Sequence, residues 1–344
     1  MKKNLLVTLA DKGYVDQAKQ LFSSAYWNGK WEGDYMLFAY NIPEKKLKWF
    51  RDKGILIRKC KLIPYAKGLE SIKWPPVVFC KFYLFTTELK KWKNVVYLDG
   101  DIIVRSSLND LTKIKGLGAR YCEKISEHFI NPLISDEANI NLYNSLKKNY
   151  DFNEYFFNSG VMAFSTDIIK KNTFYQLEKL SELYRAVNVY GEQPILNLLF
   201  YKKFKLLPNG LVYNFLDIDN MLHSGNKVKE AKDGTILHFN SRNKPWLPKN
   251  KFYEEWTINL IKANLINLKI SIPDKNGAKY STKYFLNSPQ KKIMFFYIRM
   301  TRAISSFVDR GFNFIDASLG RIGIFLRKNF PRLYFKLKNI EKRS

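Results

Sequence analysis

Two carboxylates one residue apart, Asp99 and Asp101, interrupt the apolar run Val95-Val96-Tyr97-Leu98-Asp99-Gly100-Asp101-Ile102-Ile103-Val104. A run of this kind reads as a strand buried on both faces. Burying two acids without partners is costly, so the pattern calls for a cationic group beside them. In an extended chain the two carboxylates project to the same side. Gly100 between them carries no side chain, which lets a bulky ligand approach the backbone closely. Such a pair suits a divalent metal that also holds phosphate oxygens. The competing reading is a strand that stops at Leu98 and a solvated Asp-Gly-Asp turn after it. Resumption of the apolar run at Ile102 weighs against that turn.

The preceding elements alternate in a way that would position this motif. Residues 5–10 read as a first strand closed by Asp11-Lys12-Gly13, followed by a helix with Val15, Ala18, Leu21, Phe22 and Ala25 on one face. Residues 35–40 form a second strand ended by Pro43, 45–53 a basic surface helix closed by Gly54, and 55–57 open a third strand. A helix over 79–89 leads into the 95–104 strand. This alternation predicts an α/β fold with a mostly parallel sheet flanked by helices. Ligands then sit at the carboxyl ends of the strands, near where Asp99 and Asp101 lie. Beyond them the pattern predicts a strand over 118–123, a polar, loop-rich insertion over 131–150, and a strand over 157–164. Helices over 168–187 and 192–200 follow, and a last strand over 233–239 feeds Asn240-Ser241-Arg242-Asn243-Lys244-Pro245-Trp246. Residues 1–277 read as one domain, and from 278 the composition shifts to a basic, aromatic-rich tail.

A chain of 344 residues with 46% hydrophobic content can bury a substantial core, and 16% aromatic residues argue against disorder. The formal charge of +27 attracts polyanions: nucleic acid, an anionic bilayer, or phosphorylated small molecules. Zinc-finger spacing, a ribonucleoprotein motif and a helix-turn-helix signature are all missing, so nucleic acid is not the expected partner. Cys60, Cys80 and Cys122 have no metal-type spacing and read as buried thiols in a reducing compartment. The apolar segment before Asp11 is too short for a signal peptide, and no uninterrupted apolar 18-mer occurs, which predicts a cytoplasmic protein.

Further motifs follow the acid pair in order: Phe157-Asn158-Ser159-Gly160-Val161, Glu192-Gln193-x-Ile195-Leu196-Asn197, and His238 followed six residues later by Lys244-Pro245-Trp246. Together they make the chain, from about Asn4 to Trp256, resemble glycosyltransferase family 8, the group that includes glycogenin and bacterial lipopolysaccharide galactosyl- and glucosyltransferases. The resemblance implies a Rossmann-like catalytic domain of the glycosyltransferase A type over 1–277. It implies a metal-dependent enzyme that moves a hexose from a UDP-sugar to a glycan or lipid-linked glycan acceptor with retention, in lipopolysaccharide or other surface polysaccharide synthesis. A nucleotide-sugar hydrolase or nucleotidyltransferase on the same sheet is the alternative, although such enzymes usually converge more carboxylates on two metals.

The residue roles come with the resemblance. Asp99, Asp101 and His238 would hold Mn²⁺, or Mg²⁺ in its place, as an O,O,N set. Lys244 would face the leaving diphosphate, where charge develops. Thr8, Ala10, Asp11 and Tyr14 match the uridine-binding region, with Tyr14 placed to stack on uracil. Lys81 and Gly100 would contact the donor, and Asn158, Ser159 and Gly160 would line the sugar pocket. Glu192 and Gln193 occupy the catalytic positions where the family usually has Asp-Gln, the acid bonding the donor sugar and the amide beside the anomeric carbon. Glu192 adds a methylene, which leaves the identity of the hexose open. Ser241 stands where the family commonly has Gly, and Leu207-Pro208 with Tyr213-Asn214 match a supporting segment. No carboxylate is placed as a glycosyl nucleophile, which favours front-face transfer. In the tail from 288 onward, basic residues such as Lys291, Arg302, Arg310 and Lys328 punctuate apolar patches, opposed only by Asp309, Asp316 and Glu341. Basic amphipathic helices lie in the membrane interface, so the expectation is peripheral attachment to the anionic inner face of the cytoplasmic membrane. A helical hairpin packed on the catalytic domain, or a dimer contact, is the alternative.

Overall fold

The computed structural model describes residues 2–63, 74–129, 137–188, 190–208, 211–214 and 235–268. All of these fall in the first of two units, Met1–Pro273. The 277/278 boundary, the tail and its expected membrane contact lie outside the described residues.

The first half alternates as the apolar pattern predicts. Strand β1 (Lys2–Ala10) leads to helix α1 (Val15–Trp27), β2 (Asp34–Ala39), α2 (Glu44–Asp52) and β3 (Leu56–Lys59). Helix α1 turns Val15, Ala18, Leu21, Phe22 and Ala25 inward, three- and four-residue spacings that make one continuous apolar face. Strand β4 (Trp92–Leu98) then enters the middle of the sheet, with Val95 to Leu98 almost wholly buried.

Four expectations need correction here. Residues 79–89 form two 3₁₀ segments, Pro76–Phe85 and Thr87–Lys91, not an α-helix. The 95–104 run is two strands: β4 ends at Leu98, the chain turns through Asp99-Gly100-Asp101, and β5 (Ile102–Val104) joins a different sheet. An apolar run buried on both faces looks the same whether it continues or changes sheets, so periodicity could not separate the two. The polar 131–150 stretch contains helix α3 (Glu137–Asn149), and 168–187 shortens to α4 (Thr173–Leu183) behind a 3₁₀ turn at Thr166–Ile168.

The remaining strands are β6 (Leu117–Lys124), β7 (Tyr155–Ser165), β8 (Phe204–Leu206), β9 (Val212–Asn214) and β10 (Ile236–His238), with helices α5 (Glu192–Leu199) and α6 (Tyr253–Lys262). Seven strands form one sheet in the order β3-β2-β1-β4-β7-β6-β8. Strand β1 runs parallel to β2 and β4, as do β2 to β3 and β6 to β8, while β7 is antiparallel to β4 and β6. The mostly parallel α/β sheet is thus present. Its two faces carry separate apolar layers: Val7, Val95 and Phe164 pack with α5 on one, and Leu6, Val96 and Ala163 pack with α1 on the other. A small sheet, β5-β10-β9, carries a third cluster of Ile103, Leu237, Phe239 and Trp256. The Leu207-Pro208 and Tyr213-Asn214 segment proves to be a support: Leu207 N–H donates to Ala119 O (3.0 Å), and Tyr213 pairs with Leu237.

The buried side chain of Asn197 helps fasten helix α5 to β7. Asn197 Oδ1 accepts from Phe157 N–H (2.7 Å), and its Nδ2 donates to Phe157 O and Gln193 O, both at 2.9 Å. Asn197→Ala strips partners from two buried backbone groups of Phe157, and we expect it to lower the unfolding free energy by about 2–4 kcal/mol in guanidinium titrations.

Candidate active site

The Asp99-Gly100-Asp101 turn is held from both sides by backbone hydrogen bonds. Asp99 N–H donates to Gly160 O in β7 (2.8 Å), and Phe239 N–H, just past β10, donates to Asp101 O (3.0 Å). The small sheet sets the second contact, because its register places His238 opposite Ile102. One ligand atom each from Asp99, Asp101 and His238 then lies within 4.8 Å of the others. A turn, not an extended strand with both carboxylates on one side, therefore brings the acids together. The turn is nonetheless not solvated: the Asp101 side chain is 13% exposed and that of Asp99 26%.

The cationic partners demanded by buried acids are Lys81 and Lys244. Lys244 Nζ lies 2.6 Å from Asp101 Oδ2 and donates to Phe239 O at 2.6 Å. Burial favours the protonated form of Asp101. The His238 ring and the Lys244 ammonium outweigh it and hold this carboxyl well below the usual carboxylate range. Lys81 reaches inward from the first 3₁₀ segment, with its ammonium 3.0 Å from Asp99 and 2.8 Å from Glu192. It also donates to Ser159 Oγ (3.3 Å). Burial alone would lower the Lys81 pKa, but Asp99 and Glu192 beside it push it above the ordinary lysine value, so it stays charged. Tyr97, two residues before Asp99 on β4, donates its hydroxyl to Asp99 Oδ1 (2.5 Å).

On the β7 side a second network begins. Ser159 Oγ donates to Glu192 Oε1 (2.8 Å), and Ser159 N–H donates to Gln193 Oε1 (3.0 Å). Gln193 Nε2 donates to Cys122 Sγ (3.4 Å). Helix α5 can start here because Gly191 adopts a left-handed φ of 72°. Asn158 turns its carbonyl oxygen onto Gly160 N–H (2.9 Å). A Cβ on Gly160 would collide with the His238 ring and lie 2.8 Å from Asp99 Oδ2. The bare backbone at Gly160 is thus what admits the imidazole.

The residues fit a divalent cation. Two carboxylates and an imidazole form a donor set suited to Mn²⁺ or a similar ion. Asp101 Oδ1 is buried without a hydrogen bond and faces His238 Nε2 at 3.4 Å.

The residues expected around the nucleotide fall at the end of β1. Thr8 is fully buried and presents no surface to a ligand, whereas Ala10 closes the strand. Asp11 Oδ1 accepts from Gly13 N–H (2.8 Å) and Tyr14 N–H (3.1 Å), shaping the turn into α1. Tyr14 lies edge-on to Trp246, 5.7 Å between centroids, and packs against Gly100. Burial, with the Asp101 and Asp99 charges, raises its pKa to about 12, so the phenol remains a hydrogen-bond donor. The Ser241 hydroxyl is buried with no hydrogen-bond partner among the described residues.

Two members of the site went unassigned in the sequence. Tyr97 was legible in principle, being at i−2 from Asp99. Cys122 gave no signal, because its contact with Gln193 spans 71 residues. Cys60 and Cys80 are buried as predicted, but Cys122 is partly exposed.

A family model described as Glycosyl transferase family 8 matches residues 6–250. Lipopolysaccharide 1,2-glucosyltransferase of Escherichia coli is 25% identical over 184 residues, covering 52% of this chain and 51% of that protein. Glycosyltransferase GlyB of Streptococcus pneumoniae is 28% identical over 281 residues, covering 74% of this chain and 61% of that protein. The chain thus spans about half to three fifths of the length of these curated relatives. The galactosyltransferase LgtC, solved with donor and acceptor sugar analogues, superposes with a TM-score of 0.52 at 18% identity, covering 80% of this chain and 99% of that one. That likeness shows a shared fold.

Two substitutions test the metal-binding geometry without a turnover assay. We expect Asp101→Asn and Gly160→Ala each to weaken Mn²⁺ binding about 10–100-fold by isothermal titration, with circular dichroism unchanged. Wild-type affinity in Asp101→Asn would remove that carboxylate from the ligand set.

Proposed function

The chain belongs to glycosyltransferase family 8, and from that premise we propose that it is a retaining hexosyltransferase. It takes its sugar from a UDP-sugar and passes it to a glycan acceptor in lipopolysaccharide or other surface polysaccharide synthesis. One observation carries this reading: Asp99, Asp101, His238, Lys81 and Lys244 converge at the carboxyl end of β4. That is where an open α/β sheet takes its ligands. The name of the Escherichia coli relative supports the acceptor class. Among the described residues this is the one cluster of acids and histidine with metal-binding spacing, which favours transfer over chemistry that needs two metals.

Asp99, Asp101 and His238 are the residues that would hold the cation. When bound, it supplies positive charge to the donor's diphosphate. The rest is work for the chain's own groups. Lys244 sits on the same carboxylate with a flexible stem, within reach of a leaving diphosphate. Gly160 leaves the room that His238 takes beside Asp99. Glu192 is anchored by Lys81 and Ser159, so its carboxylate is oriented toward hydrogen bonding and not free to attack carbon. Gln193 is clamped at both ends of its amide. We therefore assign a one-face transfer. The acceptor oxygen bonds to the anomeric carbon as the bond to the diphosphate oxygen breaks, and the hydroxyl proton passes to that departing oxygen. The composition of residues 278–344 supports a site of action at the inner face of the cytoplasmic membrane.

Incubation with UDP-glucose or UDP-galactose and Mn²⁺ should release UDP, faster when a glycan acceptor is present, and a chelator should stop it. Gln193→Ala should lower kcat about 100-fold or more while leaving UDP affinity within about threefold of wild type. Glu192→Asp should change the ratio of kcat/KM between the two donors more than it changes thermal stability. Full activity after chelation, or a Gln193→Ala variant that loses UDP binding instead of turnover, refutes this assignment.

A further inference from the structure

One large cavity of the described structure lies away from the acid pair. It is a groove of about 1080 Å³ at the opposite end of the sheet, where β1 and β4 begin and β7 ends. Asn94, in its wall, precedes Asp99 by five residues of β4, about 16 Å of extended chain. A molecule seated here cannot also present its reacting atom to Asp99 and Asp101 unless it is long.

The lining has two parts. The floor is apolar: Leu117 and Phe200 are buried, and Ile168 and Leu199 pack against the same core. The rim is cationic, with Lys3, Lys93, Lys113, Lys115, Lys170 and Lys203 against only Glu32 and Asp167. Lys113 pairs with Asp110 (2.8 Å), and Lys170 Nζ donates to Asp167 O (3.1 Å). Lys3, Lys93, Lys115 and Lys203 form no ion pair with any carboxylate of the described residues. The polar wall is already satisfied, since Asn94 Nδ2 donates to Asn4 Oδ1 (3.0 Å) and Asn4 Nδ2 to Glu32 O (3.1 Å). Recognition therefore falls to the unpaired ammonium groups and the floor.

Charge eliminates a second copy of the chain, which at +27 is repelled by this rim. What fits is an anion with an apolar body. We propose that the groove binds a phosphate-bearing lipid, its head among the lysines and its hydrocarbon on the half-buried Ile168 and Leu199. This inference is independent of the transfer reaction, because none of its residues belongs to the acid-pair site.

The test uses the full chain and a variant carrying Lys93→Glu, Lys115→Glu and Lys203→Glu. Its charge-matched control carries Lys45→Glu, Lys148→Glu and Lys251→Glu. All six positions are exposed, so both variants should keep the wild-type circular dichroism and Tm. In co-sedimentation with phosphatidylcholine vesicles containing 30% phosphatidylglycerol, the groove variant should bind about tenfold or more weaker than the control. In titration calorimetry, dispersed dihexanoyl phosphatidylglycerol should bind the wild type and the control but not the groove variant. Binding of the dispersed lipid would show a site for single molecules, and binding to vesicles alone would overturn the proposal, because no single lipid would then occupy the groove. Equal losses in the two variants would reduce the effect to net charge and overturn the proposal. So would inorganic phosphate binding as tightly as the lipid, because the floor would then contribute nothing.

Discussion

Two backbone hydrogen bonds hold the site together: Asp99 N–H to Gly160 O, and Phe239 N–H to Asp101 O. The first ties the acid turn to β7 in the large sheet, and the second ties it to the end of β10 in the small one. Between them they fix where the two carboxylates point and deliver His238 from 137 residues away. Their condition is steric. A side chain at residue 160 would occupy the space of the imidazole, so the close approach depends on glycine there.

That geometry concentrates charge in a poorly solvated place, and the structure compensates with charge of the other sign. Lys81 joins Asp99 to Glu192, and Lys244 meets Asp101, so each buried acid has an ammonium within about 3 Å. Buried pairs of this kind contribute little net stability, because desolvation of both partners offsets their attraction. Their effect is orientation. Lys81 links the Asp99 carboxylate to the Ser159–Glu192–Gln193 network.

The acid pair, the glycine beside it and the need for buried cations were legible because each is a local conflict between residue type and apolar surroundings. The first three strands were legible for a related reason: strands buried on both faces and a helix with one apolar stripe leave distinct periodicities. Helix α3 escaped because its polar composition masks a weak stripe. The 3₁₀ segments escaped because an apolar run carries no mark of whether its turns close at three residues or four.

By itself the sequence determined the chemistry on offer: two acids flanking Gly100, an imidazole followed by Lys-Pro-Trp, and an Asn-Ser-Gly run ahead of Glu-Gln. Local pattern suffices for this, because side-chain type and near-neighbour spacing are written directly in the chain. The tertiary structure decided that the 95–104 run breaks into two sheets and that a turn, not an extended strand, brings Asp99 and Asp101 together. It also decided that Lys81 reaches Glu192, that Cys122 meets Gln193, and that six lysines gather around an apolar floor at the far end of the sheet. These contacts join residues tens to hundreds of positions apart. They arise from strand order and register, which long-range packing selects and no local period encodes.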